Sequence, residues 1–119
     1  MELELISFKI CPFVQRSVIT LNYKNVPHRI THIEPGNPPD WFKEISPFGK
    51  VPVLKVDGEH VLFESAVINE FIDEITPPSL QPQDPLQRAL NRAWIEFGSE
   101  CLVTQFQMLN SKEEATFLE

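Results

Sequence analysis

The chain has 119 residues, enough for one average domain, or a small domain with part of another. Its hydrophobic content of 42%, with 9 Phe and 2 Trp, can fill a core and argues against intrinsic disorder. The formal net charge of −7 argues against nonspecific binding to nucleic acid or to an anionic membrane as the main role. Cys11 and Cys101 lie far apart and match neither a disulfide framework nor a zinc cluster, and free thiols of this kind suit a reducing compartment. The acidic start Met1-Glu2-Leu3-Glu4-Leu5 lacks the basic lead-in of a signal peptide. No apolar stretch approaches the roughly 18 residues that span a bilayer. A soluble, cytoplasmic protein is expected.

Alternation over Leu3–Ile10 predicts a first strand. From Pro12, the spacing of Phe13, Val14, Val18, Leu21 and Tyr23 predicts a helix, which Lys24-Asn25-Val26-Pro27 ends because a residue before proline is pushed from the helical region. His28–Ile33 reads as a second strand parallel to the first, completing a βαβ unit. Glu34-Pro35-Gly36-Asn37-Pro38-Pro39 is a loop by composition, and Asp40–Ile45 makes one or two helical turns. After the turn Ser46–Lys50, Val51–Val56 and His60–Phe63 flank Asp57-Gly58, a strong hairpin signal. Ser65 is then a good N-cap for a helix carrying Val67, Ile68, Phe71, Ile72 and Ile75 on one face. Thr76–Gln83 is a proline-rich linker. Beyond it, Asp84 and Pro85 open a helix with Leu86, Leu90, Trp94, Phe97, Cys101 and Phe106 or Met108 toward one side. That helix extends for roughly 25 residues, about 37 Å. Ser111-Lys112-Glu113-Glu114 resembles a further helix start.

Cys11 stands where the first strand gives way to a helix with Pro12 at its first position. There the unpaired N–H groups and the positive end of the helix dipole favour the thiolate, the form in which a thiol reacts. Taken alone, a buried structural cysteine is the commoner outcome. Pro52 cannot donate to a strand ladder, so it marks either an edge strand or a cis bond after Val51, and spacing alone favours the edge. Glu64-Ser65 is either a helix cap only or a site in which Ser65 and nearby N–H groups hold a carboxylate while Glu64 pairs with an ammonium. Gln15 and Arg16 read as a solvated helix face. His28, His32 and His60 lack metal-ligand spacing, and no metal is expected.

The runs Cys11-Pro12-Phe13-Val14-Gln15-Arg16, Pro39-Asp40-Trp41-Phe42, Ser46-Pro47-Phe48-Gly49-Lys50-Val51-Pro52-Val53-Leu54 and Phe63-Glu64-Ser65-Ala66-Val67-Ile68 stand together in one order. Over roughly residues 1–110 they resemble the amino-terminal half of glutathione S-transferases, closest to the omega-like cysteine class. The resemblance implies an α/β fold: a thioredoxin-like β-α-β-α-β-β-α domain over 1–76, a linker over 77–83, and the beginning of an all-helical domain over 84–119. It implies that Cys11 is the nucleophile, that the Val51 backbone pairs with the cysteinyl unit of glutathione, and that Pro52 is a cis-proline. Glu64 and Ser65 match the residues that hold the γ-glutamyl ammonium and carboxylate, and Phe13 matches a residue flanking the thiol pocket.

Where many omega-like proteins place a lysine beside the glycyl carboxylate, this chain has Pro38. Either Lys50, Lys43 or His28 substitutes, or that end of glutathione is held less tightly. Val14 stands where a dithiol Cys-x-x-Cys motif would carry its second cysteine, so the chemistry implied is monothiol exchange with glutathione mixed disulfides, with an activity resembling thioltransferases or dehydroascorbate reductases. Glutathione is the expected substrate, a small molecule or protein thiol the second one, and a homodimer the expected assembly. The alternative is a noncatalytic regulatory or scaffolding protein of the same fold, resembling stringent starvation proteins. A third reading resembles intracellular chloride channel proteins and is disfavoured by the lack of an apolar segment near the start.

Overall fold

The structure is a computed structural model and describes residues 1–110. The elements run β1 (Leu3–Ser7), α1 (Pro12–Tyr23), β2 (Arg29–His32), α2 (Asp40–Ile45), β3 (Val53–Val56), β4 (His60–Phe63), α3 (Ser65–Ile75) and α4 (Pro85–Leu109). The first strand stops at Ser7, short of the predicted Ile10, and Phe8–Ile10 form the link into α1. The further helix start expected at Ser111–Glu114 lies outside the described residues. Residues 1–80 form one compact unit, and α4 belongs to a second that begins at Gln81.

The sheet has four strands in the order β2-β1-β3-β4. β2 runs parallel to β1, as the βαβ pattern predicts, and β3 and β4 are antiparallel to their neighbours. Because side chains alternate along a strand, Leu3 and Leu5 share a face with Leu54 and Val56, and all four are buried. The opposite face carries Glu4, Ile6, Val53 and Lys55. Trp41 of α2 lies against Lys55, 6.0 Å from ring centre to ammonium, and Phe42 is buried beside Phe8. α1 packs on α3, which also meets β3 and β4. Val14, Leu21, Ile68 and Ile72 fill this packing. Val67 is 51% exposed, so the buried stripe of α3 is narrower than its apolar composition implies.

The end of α1 is built differently from the proline-based expectation. Asn25 takes a left-handed conformation (φ 55°), the Asn25 N–H donates to the Asn22 carbonyl, and the Val26 N–H donates to the Leu21 carbonyl. This Schellman arrangement stops the helix at Tyr23, four residues before Pro27, with Asn25 in the place glycine usually takes. At the β3–β4 hairpin, Asp57 (φ 53°) and Gly58 (φ 68°) supply the two positive angles that a tight turn of this kind needs.

A polar tie joins the carboxyl ends of α1 and α3. Lys24 Nζ lies 3.0 Å from Asp73 Oδ1, with the two side chains only 6% and 8% exposed. The ammonium also donates to the Thr76 and Pro78 carbonyls, while Asp73 accepts from the Ser79 hydroxyl and the Leu80 N–H. The chain segment after α3, which includes a cis Pro77–Pro78 bond, is thereby held to the first unit. Burial alone would raise the Asp73 pKa, but the Ser79 and Leu80 hydrogen bonds and the Lys24 charge outweigh it and hold it below 3.8.

A depressed carboxylate stabilises the fold fully above the unfolded-state value and ceases to do so as pH falls through the folded-state value. The unfolding free energy of the protein is therefore expected to drop as pH falls below 3.8. Asp73→Asn should flatten that acid limb, as followed by urea denaturation at several pH values. At neutral pH, Lys24→Met leaves a buried carboxylate without its cation and is expected to cost about 3 kcal/mol. A loss under a few tenths of that would contradict the tie.

Candidate functional site at the carboxyl end of the first strand

Strand register brings distant parts of the sequence to one end of the sheet. Ile6 pairs with Val53, and Val53 pairs with Phe63. The Cys11 link therefore leaves β1, Val51-Pro52 enters β3, and Glu64-Ser65 leaves β4, all at the same end. Carboxyl ends of parallel strands are the usual place for ligands in such sheets.

Cys11 occupies the N-cap of α1 in an extended conformation (φ −153°, ψ 116°), with Pro12 at the first helical position, as its sequence context predicts. Its carbonyl accepts from the Gln15 N–H at 3.1 Å, and the residue is half-buried against the core. Its side chain makes no cap hydrogen bond. The first-turn N–H groups of α1 are thus available to an anion near the sulfur.

The Val51–Pro52 bond is cis, and both residues are buried ahead of the first paired residue of β3. An edge strand, favoured by spacing alone, is ruled out because β3 lies between β1 and β4. The loop before it is held by Ser46, which is buried. Its hydroxyl accepts from the Lys50 N–H and donates to the Lys50 carbonyl, each at 3.0 Å, and Gly49 between them takes φ 65°. Lys50 itself is exposed. His28, a possible replacement for the lysine absent at Pro38, precedes β2 at the opposite end of the sheet, and its Nδ1 contacts the Val26 carbonyl at 2.8 Å.

Ser65 is not the N-cap. Glu64 holds that position, and Ser65 begins α3 as its first helical residue, buried to 5% exposure. Glu64 has φ 72° and ψ 120°, a conformation that costs a non-glycine residue about 1–3 kcal/mol. Such strain at a surface residue beside a helix start marks a constrained site. Arg16, expected to be solvated, is half-buried: its Nη1 donates to Ser65 Oγ at 3.3 Å, and its guanidinium lies 6.0 Å from the Phe13 ring centre. Phe13 is half-buried, in the first turn of α1. The sequence held a signal for this, since Phe13 and Arg16 are three apart on one helix and therefore share a face.

The family defined by the glutathione S-transferase N-terminal domain matches residues 10–75. The chain belongs to that family, and to its omega-like branch. Rat glutathione S-transferase omega-1 is 37% identical over 116 residues, which is 95% of this chain and 48% of the relative. A rice protein named probable glutathione S-transferase DHAR2, chloroplastic, is 38% identical over 104 residues, 87% of this chain and 35% of its own length. Among solved structures, glutathione transferase Omega 3C from Trametes versicolor superposes with a TM-score of 0.81 at 29% identity, covering 99% of this chain and 52% of its own. The chain thus spans about half the length of such relatives.

The Ser46 clamp sets the approach of Lys50 and Val51 to the site. Ser46→Ala removes two buried hydrogen bonds and is expected to lower stability by about 1–3 kcal/mol, measured by chemical denaturation. An unchanged midpoint and slope would contradict the clamp.

Proposed function

We propose that this chain carries the glutathione site of a glutathione-dependent transferase whose main chemistry is monothiol exchange. The observation that carries the reading is Cys11 at the N-cap of α1, half-buried, at the end of the sheet shared by cis Pro52 and Ser65. Residues 1–76 are the glutathione-binding domain, 77–83 the linker, and 84–119 the beginning of a helical domain.

In the proposed reaction, the Cys11 thiolate attacks the glutathionyl sulfur of a mixed disulfide. A bond forms between Sγ and that sulfur, the original S–S bond breaks, and the partner thiolate leaves. A second glutathione thiolate then attacks the same sulfur, forming glutathione disulfide and returning Cys11 as thiolate. Val14, in place of a second cysteine, leaves no local thiol to resolve the adduct, so resolution falls to glutathione. Reduction of dehydroascorbate would draw on the same site: two glutathione thiols give up two electrons and two protons, yielding ascorbate and glutathione disulfide.

The remaining assignments rest on the family resemblance. Val51 offers its backbone to the cysteinyl unit beside Pro52, Ser65 and the start of α3 take the γ-glutamyl carboxylate, and Glu64 takes the ammonium. Phe13 flanks the thiol and Lys50 reaches the glycyl end. No helix among the described residues is long and apolar enough to cross a membrane, and the acidic composition fits a cytoplasmic protein. Self-association as a homodimer is the proposed assembly, supported by the exposed Phe48, which stacks edge-on with Phe63 at 6.3 Å.

Mass spectrometry after treatment with glutathione disulfide tests the reading. One glutathione adduct is expected on Cys11, retained in Cys101→Ser and abolished in Cys11→Ser. An adduct on Cys101 with Cys11 left unmodified would overturn it.

A further inference from the structure

We propose that Arg16 is a positioning residue for the head-group end of this site, acting through Ser65; the proposal rests on the glutathione reading above. Three features lead to it. The Arg16 guanidinium donates to a serine oxygen that is 5% exposed, 3.3 Å away. It lies near the face of Phe13, 6.0 Å from the ring centre, and has other contacts that help to fix it. Arg16 also lies on α1, the helix that Cys11 caps, whereas Ser65 opens α3.

The hydrogen-bonding inventory of these groups gives the contact a direction. A serine hydroxyl has one proton to donate and two lone pairs to accept with. Arginine has donors only, so its N–H takes a lone pair and the Ser65 proton must find an acceptor elsewhere. The free backbone N–H groups of the first turn of α3 are donors and offer it none. Ser65 is therefore oriented as a donor, with a full positive charge behind it and the positive end of a helix dipole beside it. A carboxylate meets all three demands. A lysine would supply the charge but not the fixed planar fork that aims one N–H at Ser65 while its plane lies near an aromatic face.

Arg16 has a second consequence for distance. By tying Ser65 to α1, it sets the separation of the head-group site from the thiol through one helix. A disulfide presented by its γ-glutamyl carboxylate then arrives at Cys11 in register, whereas one lacking that carboxylate gains nothing from the arrangement.

The test compares second-order rates of mixed-disulfide formation at Cys11 in the full chain with two reagents. One is glutathione disulfide; the other is the disulfide of cysteinylglycine, which lacks the γ-glutamyl unit. In Arg16→Gln, the preference for glutathione disulfide should fall about tenfold, the size expected on losing one charge-assisted hydrogen bond, while the cysteinylglycine rate stays within twofold. Ser65→Ala should lower the same preference, and the double variant should be no worse than the more impaired single variant. Arg16→Lys, which keeps the charge, should show a smaller loss with the same reagent dependence, and it serves if Arg16→Gln does not melt cooperatively. Equal slowing with both reagents would assign Arg16 a merely structural role and overturn the proposal. Additive losses in the double variant would also overturn it, since Arg16 would then not act through Ser65. A natural-sequence protein that shows no preference for glutathione disulfide would overturn the underlying reading and this inference together.

Discussion

The site depends first on the side-by-side packing of α1 and α3. The two helices run in the same direction and share a buried seam of Val14, Leu21, Ile68 and Ile72. Apolar contact of this kind is strong but undirected; it does not by itself fix how far one helix slides along the other. Polar contacts at the two ends do. Lys24 and Asp73 lock the carboxyl ends, and Arg16 and Ser65 lock the amino ends. Because a removed partner leaves a buried charge or hydroxyl unsatisfied, each tie penalises sliding more steeply than the seam does. Between them lies the buried Ser17 hydroxyl, for which no hydrogen-bond partner is found among the described residues. The register of the pair is therefore set at its ends.

Sheet register does the rest. The line Ile6–Val53–Phe63 fixes where β1, β3 and β4 begin and end relative to one another. Cys11, Pro52 and Ser65 come from segments with little sequence proximity, yet each lies within a few residues of that line. A slip of one position would invert the faces of Leu54 and Lys55, turning a lysine toward the core and a fully buried leucine away from it. Core packing thus enforces the placement of the chemistry. The strain at Glu64 fits this picture: β4 must turn directly into α3, and the residue at the corner takes φ 72°.

Element order and type were legible in the sequence because each rests on local chemistry: alternation in β1, Pro12 after Cys11, Asp57-Gly58 at the hairpin, Asp84-Pro85 opening α4. For α4, Asp84 caps the Gln87 N–H as its residue type predicts. Contacts between distant residues were not legible. Lys24 and Asp73 each look like ordinary surface charges, and their burial follows only from the pairing of two helix ends. Arg16 read as solvated because nothing near it in sequence requires a partner; Ser65 lies 49 positions away. Nothing local marks Asn25 as the stop, because Pro27 by itself accounts for a helix end. Pro52 shows the reverse case: its spacing favoured an edge strand, and family resemblance pointed to the cis bond that the structure contains. At α4, the apolar side was legible as a pattern, and no residue of the helix is buried.

In the proposed site, one end of this sheet receives glutathione, with its thiol end at Cys11 and its γ-glutamyl end at Ser65. The most direct measurement is a crystal structure of the protein after reaction with glutathione disulfide. A disulfide on Cys11 Sγ is expected, with the cysteinyl backbone hydrogen-bonded to Val51 and the γ-glutamyl carboxylate within hydrogen-bonding distance of Ser65 Oγ. Glutathione attached at Cys101, or attached at Cys11 with its γ-glutamyl end directed away from α3, would contradict it.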